Sequence, residues 1–135
     1  MNKNFRFEAE NIPPDKLPAP VGWRLLVGMI KIENVSSGGI LIMDETIEKE
    51  SYIRCIGKVL AVGDDCYNHP KFQGGLDLKE RTPQHWAKVG DIVLIGQYTG
   101  LKVNLVDDTG ETQAVKLIND DEVLAVINDI QSILT

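Results

Sequence analysis

Between Val21 and Ile127 the apolar residues never hold a helical period. Val, Ile and Leu come instead in short runs, each cut off by Gly, Asp or Asn. This punctuation predicts strands at Trp23–Ile32, Tyr52–Val62, Asp91–Ile95, Tyr98–Val106, Gln113–Leu117 and Val123–Ile127. Turn-forming stretches separate them: Val89-Gly90-Asp91, Asp107-Asp108-Thr109-Gly110 and Asn119-Asp120-Asp121. So many short strands in a chain of 135 residues fit one all-β domain, a small barrel or sandwich. At this length roughly two-thirds of the unfolded surface can be buried, enough for a self-standing core.

Prolines 13, 14, 18 and 20 crowd the start and oppose both helix and central strand, so residues 1–20 read as an extended arm. The barrel is expected over 21–127, with a tail at 128–135 in which Ile130, Ile133 and Leu134 have the spacing of a short docked helix. Two of the predicted strands are apolar on both faces. Trp23, Leu25, Val27 and Met29 share one face, while Leu26, Ile30 and Ile32 share the other. Val123, Ala125 and Ile127 likewise oppose Leu124 and Val126. A half-solvated strand alternates cleanly, so both faces must be covered. Pairing between neighbouring subunits would cover them, and so would a strand sandwiched inside one subunit.

Two segments resist a strand reading. Residues 33–51 enclose Ile40-Leu41-Ile42-Met43 between Ser36-Ser37-Gly38-Gly39 and an acidic run, and residues 64–88 carry Pro70, Gly74, Gly75 and Pro83. Loops this long in a compact domain are usually functional or disordered. On pattern alone the Ile40–Ile42 run also reads as an ordinary core strand.

Several chemistries find no footing. Lys+Arg 14 against Asp+Glu 20 gives a net charge of -6, which opposes binding to a phosphate backbone. A single-stranded nucleic-acid binder on a similar small barrel is the alternative function, but aromatics are only 6%. The apolar runs fall far short of the roughly 20 residues of a membrane span, and the N-terminus has no apolar signal region, so a cytoplasmic protein is expected. Two cysteines make no disulfide framework, and Cys55 reads as a small buried strand residue. His69 and His85 lie in the second loop with no nucleophile elbow nearby, and Cys66, His69 and His85 fall one short of the four ligands of a structural zinc site. No catalytic residue, metal or cofactor is expected.

The ordered segments resemble the GroES-like co-chaperonin family, in particular its bacteriophage-type members. Pro20–Val27 matches the opening strand, Ser37–Ile42 the mobile-loop core and Gly57–Gly63 the next barrel strand. Lys88–Leu94, Tyr98–Val103 and Asn119–Ile127 follow in the family's order. The resemblance implies an irregular β-barrel that assembles into a dome-shaped ring of seven. Its mobile loops would dock on a GroEL-like chaperonin ring, which binds the ATP and encloses unfolded client proteins. By the same resemblance Ile40, Leu41 and Ile42 form the docking tripeptide, and Gly38 and Gly39 permit its turn. The expected subunit interface joins Trp23, Leu25, Leu26 and Val27 of one subunit to Val123, Leu124, Ala125, Val126 and Ile127 of the next. Residues 35–50 are expected to be mobile in the free ring. The chain departs from the family in its arm, its tail and the 64–88 stretch, which replaces a roof hairpin and is expected to tolerate excision of Tyr67–Gln84.

Overall fold

A computed structural model describes residues 4–35, 41–42, 53–68 and 85–134. Among these, eight strands form one antiparallel sheet: β1 (Asn4–Phe7), β2 (Arg24–Val35), β3 (Leu41–Ile42), β4 (Ile56–Val62), β5 (Ile92–Ile95), β6 (Leu101–Val106), β7 (Thr112–Asn119) and β8 (Val123–Val126). The main path runs β6-β7-β2-β4-β5-β8, with β1 and β3 paired to β2 off that path.

Chain length forces this sheet to curl. The link from β7 to β8 is one 3-10 turn, Asp120–Glu122, yet β8 lies four strand positions from β7. Four residue steps reach at most about 14 Å, whereas four strand spacings in a flat sheet need about 19 Å. The sheet therefore bends back on itself, and its concave side closes over Leu25, Val27, Val59, Val93, Ile95, Ile118 and Val123. This is the small all-β barrel expected from the sequence.

The strand limits shift for local reasons. A 3-10 turn at Ile53–Cys55 shortens the predicted Tyr52–Val62 strand, and it holds Cys55 half-buried outside the strand. At the start of β6, Thr99 donates to the Gly96 carbonyl and Gly100 takes φ 80, a turn that displaces Tyr98 and Thr99 from the strand. The β6–β7 hairpin closes as the sequence predicts. Its Asp107 carboxylate accepts from the Thr109 hydroxyl at 2.6 Å, the Thr109 and Glu111 amides at 2.9 Å, and Gln113 Nε2 at 3.0 Å. The Thr109 hydroxyl bond leads these contacts in holding the Asp107 carboxyl below its ordinary value.

The N-terminal segment is more than an arm. Asn4–Phe7 pairs antiparallel with β2, placing Phe5 opposite Ile32 and Phe7 opposite Ile30. The chain then turns at Ala9, whose φ is 64, and lays Ala9, Ile12 and Leu17 over Leu26 and Val115 on the outer face of the sheet. The Glu8 carboxylate accepts from the Ala114 amide at 2.8 Å, and Gln113 Oε1 accepts from the Ala9 amide at 3.2 Å. Gly28 makes this contact possible, because a Cβ there would collide with the Glu8 carbonyl oxygen.

This docking explains the two-sided character of β2. Leu25 and Val27 face the interior, while Leu26 is covered by the chain's own first residues and not by a neighbouring subunit. The tail also docks. Gln131–Leu134 forms one helical turn, and Ile127, Ile130 and Ile133 pack against Phe7, Ile32 and Ile56.

If the arm is what seals the outer face, Leu26→Ala should cost about 2–5 kcal/mol of unfolding free energy in the full chain. In a chain lacking residues 1–17 the same substitution should cost clearly less, because its covering layer is already gone. Urea denaturation of the four proteins measures both losses, and an equal cost in the two backgrounds would refute the sealing role.

Candidate functional site

The candidate site begins where β2 leaves the barrel. β7 flanks Arg24–Gly28 and β4 flanks Leu25–Met29. Beyond them β1 flanks Asn4's partner Glu33 back to Ile30, and β3 pairs Asn34 with Ile42 and Val35 with Leu41. The predicted loop 33–51 is thus amended at both ends of its first stretch: β2 runs on through Val35, and Leu41 and Ile42 lie in a two-residue strand against it. Gly38, Gly39 and Ile40 fall outside the described residues, as does most of the remainder of 33–51.

The expected subunit interface divides. Leu25, Leu26 and Val27 are fully buried within the protomer, and both backbone edges of Leu25–Gly28 are taken by β4 and β7. Along Leu25–Gly28 the expected pairing with a neighbour's C-terminal strand is therefore corrected, because no ladder position there remains free for it. Val123 is buried and Ile127 is half-buried in the tail cluster. Trp23, Leu124, Ala125 and Val126 do lie at the surface, with Leu124 at 68% exposure. β8 pairs only with β5 among the described residues, so its outer backbone edge stays open.

The 64–88 stretch is anchored at both described ends. Cys66, Tyr67 and Ala87 belong to the interior core. Tyr67 takes φ 64, its amide donates to Asp120 Oδ2 at 2.9 Å, and its hydroxyl donates to the Asp120 carbonyl at 3.0 Å. Asp120 in turn donates its amide to the Trp23 carbonyl at 2.8 Å, so one buried group ties the stretch to β2 and to the β7–β8 link. Excision starting at Tyr67 would remove a core side chain. The expected tolerance applies at most to residues beyond Asn68, which lie outside the described region up to 84.

Cys66 is a structural group here. Its Sγ donates to the Arg24 carbonyl at 3.2 Å, and burial pushes the thiol from 9.0 up to about 11, with Asp120 and Asp65 adding to the rise. A thiol held neutral in this way is a poor zinc ligand. Among the described residues no group of three or more His, Cys, Asp or Glu is arranged to hold a metal, and no helix is long and apolar enough to cross a membrane.

Residues 18–127 match the family model for the chaperonin 10 Kd subunit. The chain belongs to that family. Co-chaperonin GroES 2 of Bradyrhizobium diazoefficiens is 30% identical over 113 residues, covering 84% of this chain and 91% of the relative. Co-chaperonin GroES of Hydrogenovibrio crunogenus is 32% identical over 108 residues, covering 80% and 95%. The chaperonin 10 match opens at Pro18, so it takes in β2 through β8 and leaves β1 and the tail helix outside. The braced end of β2 and the β1 strand were missed from sequence, although Phe5 and Phe7 alternate around Arg6 as a strand would.

Ionisation at the Tyr67 anchor has a defined sign. The folded chain keeps the Cys66 proton to about pH 11, while the unfolded chain loses it near 9.0. Stability is therefore complete below pH 9 and falls between about 9 and 11, and the Tyr67 phenol, raised mainly by burial and next by Asp120, extends the fall upward. Melting temperature followed from pH 8 to 11 should drop less steeply in Cys66→Ala than in the parent. An identical slope would remove Cys66 from the account.

Proposed function

We propose that the protein is a co-chaperonin that caps a GroEL-type chaperonin ring through its 33–51 loops and promotes folding of enclosed client proteins. The match of the chaperonin 10 family from residue 18 to 127 carries this reading, because it spans the loop as well as the barrel on both sides of it. The relatives named as co-chaperonins support the same class, and nothing in them points to nucleic-acid binding. The chain assembles into a ring of seven, and ATP belongs to the partner. It is a bacteriophage-type member acting in the host cytoplasm, a reading supported by the resemblance of its sequence blocks.

Docking rests on Ile40, Leu41 and Ile42. Burial of one such side chain yields roughly 1.5–3 kcal/mol, part of it offset by ordering the loop. One loop binds weakly, and a ring joins several weak contacts into a tight but reversible cap. The exposed Leu124 and Val126 beside the open edge of β8 support this strand as the side from which neighbours are gained.

Co-sedimentation with a chaperonin ring, with and without ATP or ADP, tests the function. A complex that forms only with nucleotide is expected, and its absence in every nucleotide state would end the co-chaperonin reading. Ile40→Ser and Ile42→Ser should each lose on the order of a thousandfold or more in capping, since about 1 kcal/mol per loop recurs in every subunit. Ring mass and thermal unfolding should stay near the parent values. Unfolding of the barrel by either substitution would place these residues in the core.

A further inference from the structure

β2 changes its support partway along. Up to Gly28 both of its edges are paired, by β4 and β7. From Ile30 to Glu33 the ladder comes from β1, whose register sets Phe7 opposite Ile30, Arg6 opposite Lys31, Phe5 opposite Ile32 and Asn4 opposite Glu33. The next two residues, Asn34 and Val35, already pair with β3 in the candidate docking loop. The N-terminal strand therefore sits at the root of that loop, on the four residues that join it to the barrel.

Two sets of contacts hold β1 in place. Phe5 and Phe7 meet edge to face at 5.7 Å and pack with Ile30, Ile32 and Ile56. Behind them, Glu8 donates its amide to the Met29 carbonyl at 2.8 Å, and its carboxylate accepts from Ala114. Ala9, Ile12 and Leu17 bind a separate apolar cluster on the outer face of the sheet. The second set fastens the segment independently of the first, so β1 can be lost while residues 8–17 remain docked.

We propose that β1 is a positioning brace for the docking loop, with Phe5 packed beside the buried Phe7 as one of its apolar contacts, and that it sets the affinity of the loop for its chaperonin. The proposal rests on the co-chaperonin reading. A strand end paired by few neighbours opens locally at low cost. Docking must order whatever backbone is not ordered beforehand, and that ordering subtracts from affinity. With β1 present Ile30–Glu33 are held by a ladder before docking, and without it the ladder from the barrel strands ends at Met29. Four more residues per subunit would then have to be fixed on docking, and the loss recurs in every subunit of a ring.

The test uses the full chain, a variant lacking residues 2–6, Phe5→Ser and Phe5→Leu. Hydrogen exchange should accelerate tenfold or more at Ile30–Glu33 in the deletion and in Phe5→Ser, with Leu25–Gly28 unchanged. Nucleotide-dependent chaperonin affinity should fall at least tenfold in the same two proteins at unchanged ring mass, and Phe5→Leu should restore both readouts. Unchanged exchange at Ile30–Glu33, unchanged affinity, or equal loosening of Leu25–Gly28 would each overturn the brace. If the deletion fails to fold, Phe5→Ser and Phe5→Leu decide on the same readouts. If the full chain binds no chaperonin, the co-chaperonin reading fails and the affinity claim falls with it, while exchange alone still decides whether β1 braces the strand.

Discussion

Burial of β2 on both faces, with its first half paired along both edges, is the constraint from which the rest of the molecule follows. Leu25 and Val27 fill the interior, and Leu26 fills the outer cluster. A strand so placed cannot shift register by one residue without exchanging the two apolar sets, which have different partners. The flanking strands inherit that register, and the short Asp120–Glu122 link then bends the sheet until β8 meets β5. Closure of the barrel is thus a consequence of one fixed strand and one short connection.

The outer cluster explains why the N-terminal segment cannot be an appendage. Small barrels ordinarily leave their convex face wet, but here Leu26 and Val115 are fully buried on that face. Their cover is built from Ala9, Ile12 and Leu17, fixed by side-chain bonds from Glu8 and Gln113. Exposed ion pairs such as Lys16–Asp108 at 3.3 Å and Lys58–Glu10 at 3.4 Å surround this cover. Pairs of that kind contribute little individually, so the apolar contacts and buried hydrogen bonds hold the segment down.

Much of the barrel was legible because β-strands announce themselves through short apolar runs and turn residues. The six predicted strands all exist, and the Asp107–Gly110 turn sits where its residues place it. The docked tail was legible too, since Ile130 and Ile133 share a helical face. What stayed hidden was the identity of partners. A two-sided apolar pattern reports that both faces are covered and carries no label for the covering element, so Leu26 read equally well as a subunit contact. Proline density around residues 13–20 likewise obscured the Phe5/Phe7 alternation just before it. Tyr67 was read as loop because its anchoring depends on Asp120, 53 residues away, which no local pattern encodes.

The two ends of the main sheet path differ in a way that bears on assembly. β6 carries Lys102 and Asn104 among its apolar residues, and charge on an edge strand discourages further pairing. β8, Val123-Leu124-Ala125-Val126, carries no polar side chain at all. Leu124 and Val126 are exposed there, and among the described residues β8 is paired along one backbone edge only. An unprotected edge of this kind invites either aggregation or a specific neighbour, and a ring satisfies it in every subunit at once. Because β2 has no free ladder along Leu25–Gly28, a neighbour in the proposed ring would have to contribute through a segment outside the paired core. Val21 and Trp23, exposed immediately before β2, supply apolar surface in such a segment. In the proposed ring such an arrangement would leave the loop-bearing end of β2 outside the assembly contact, so that ring formation and docking could be altered independently.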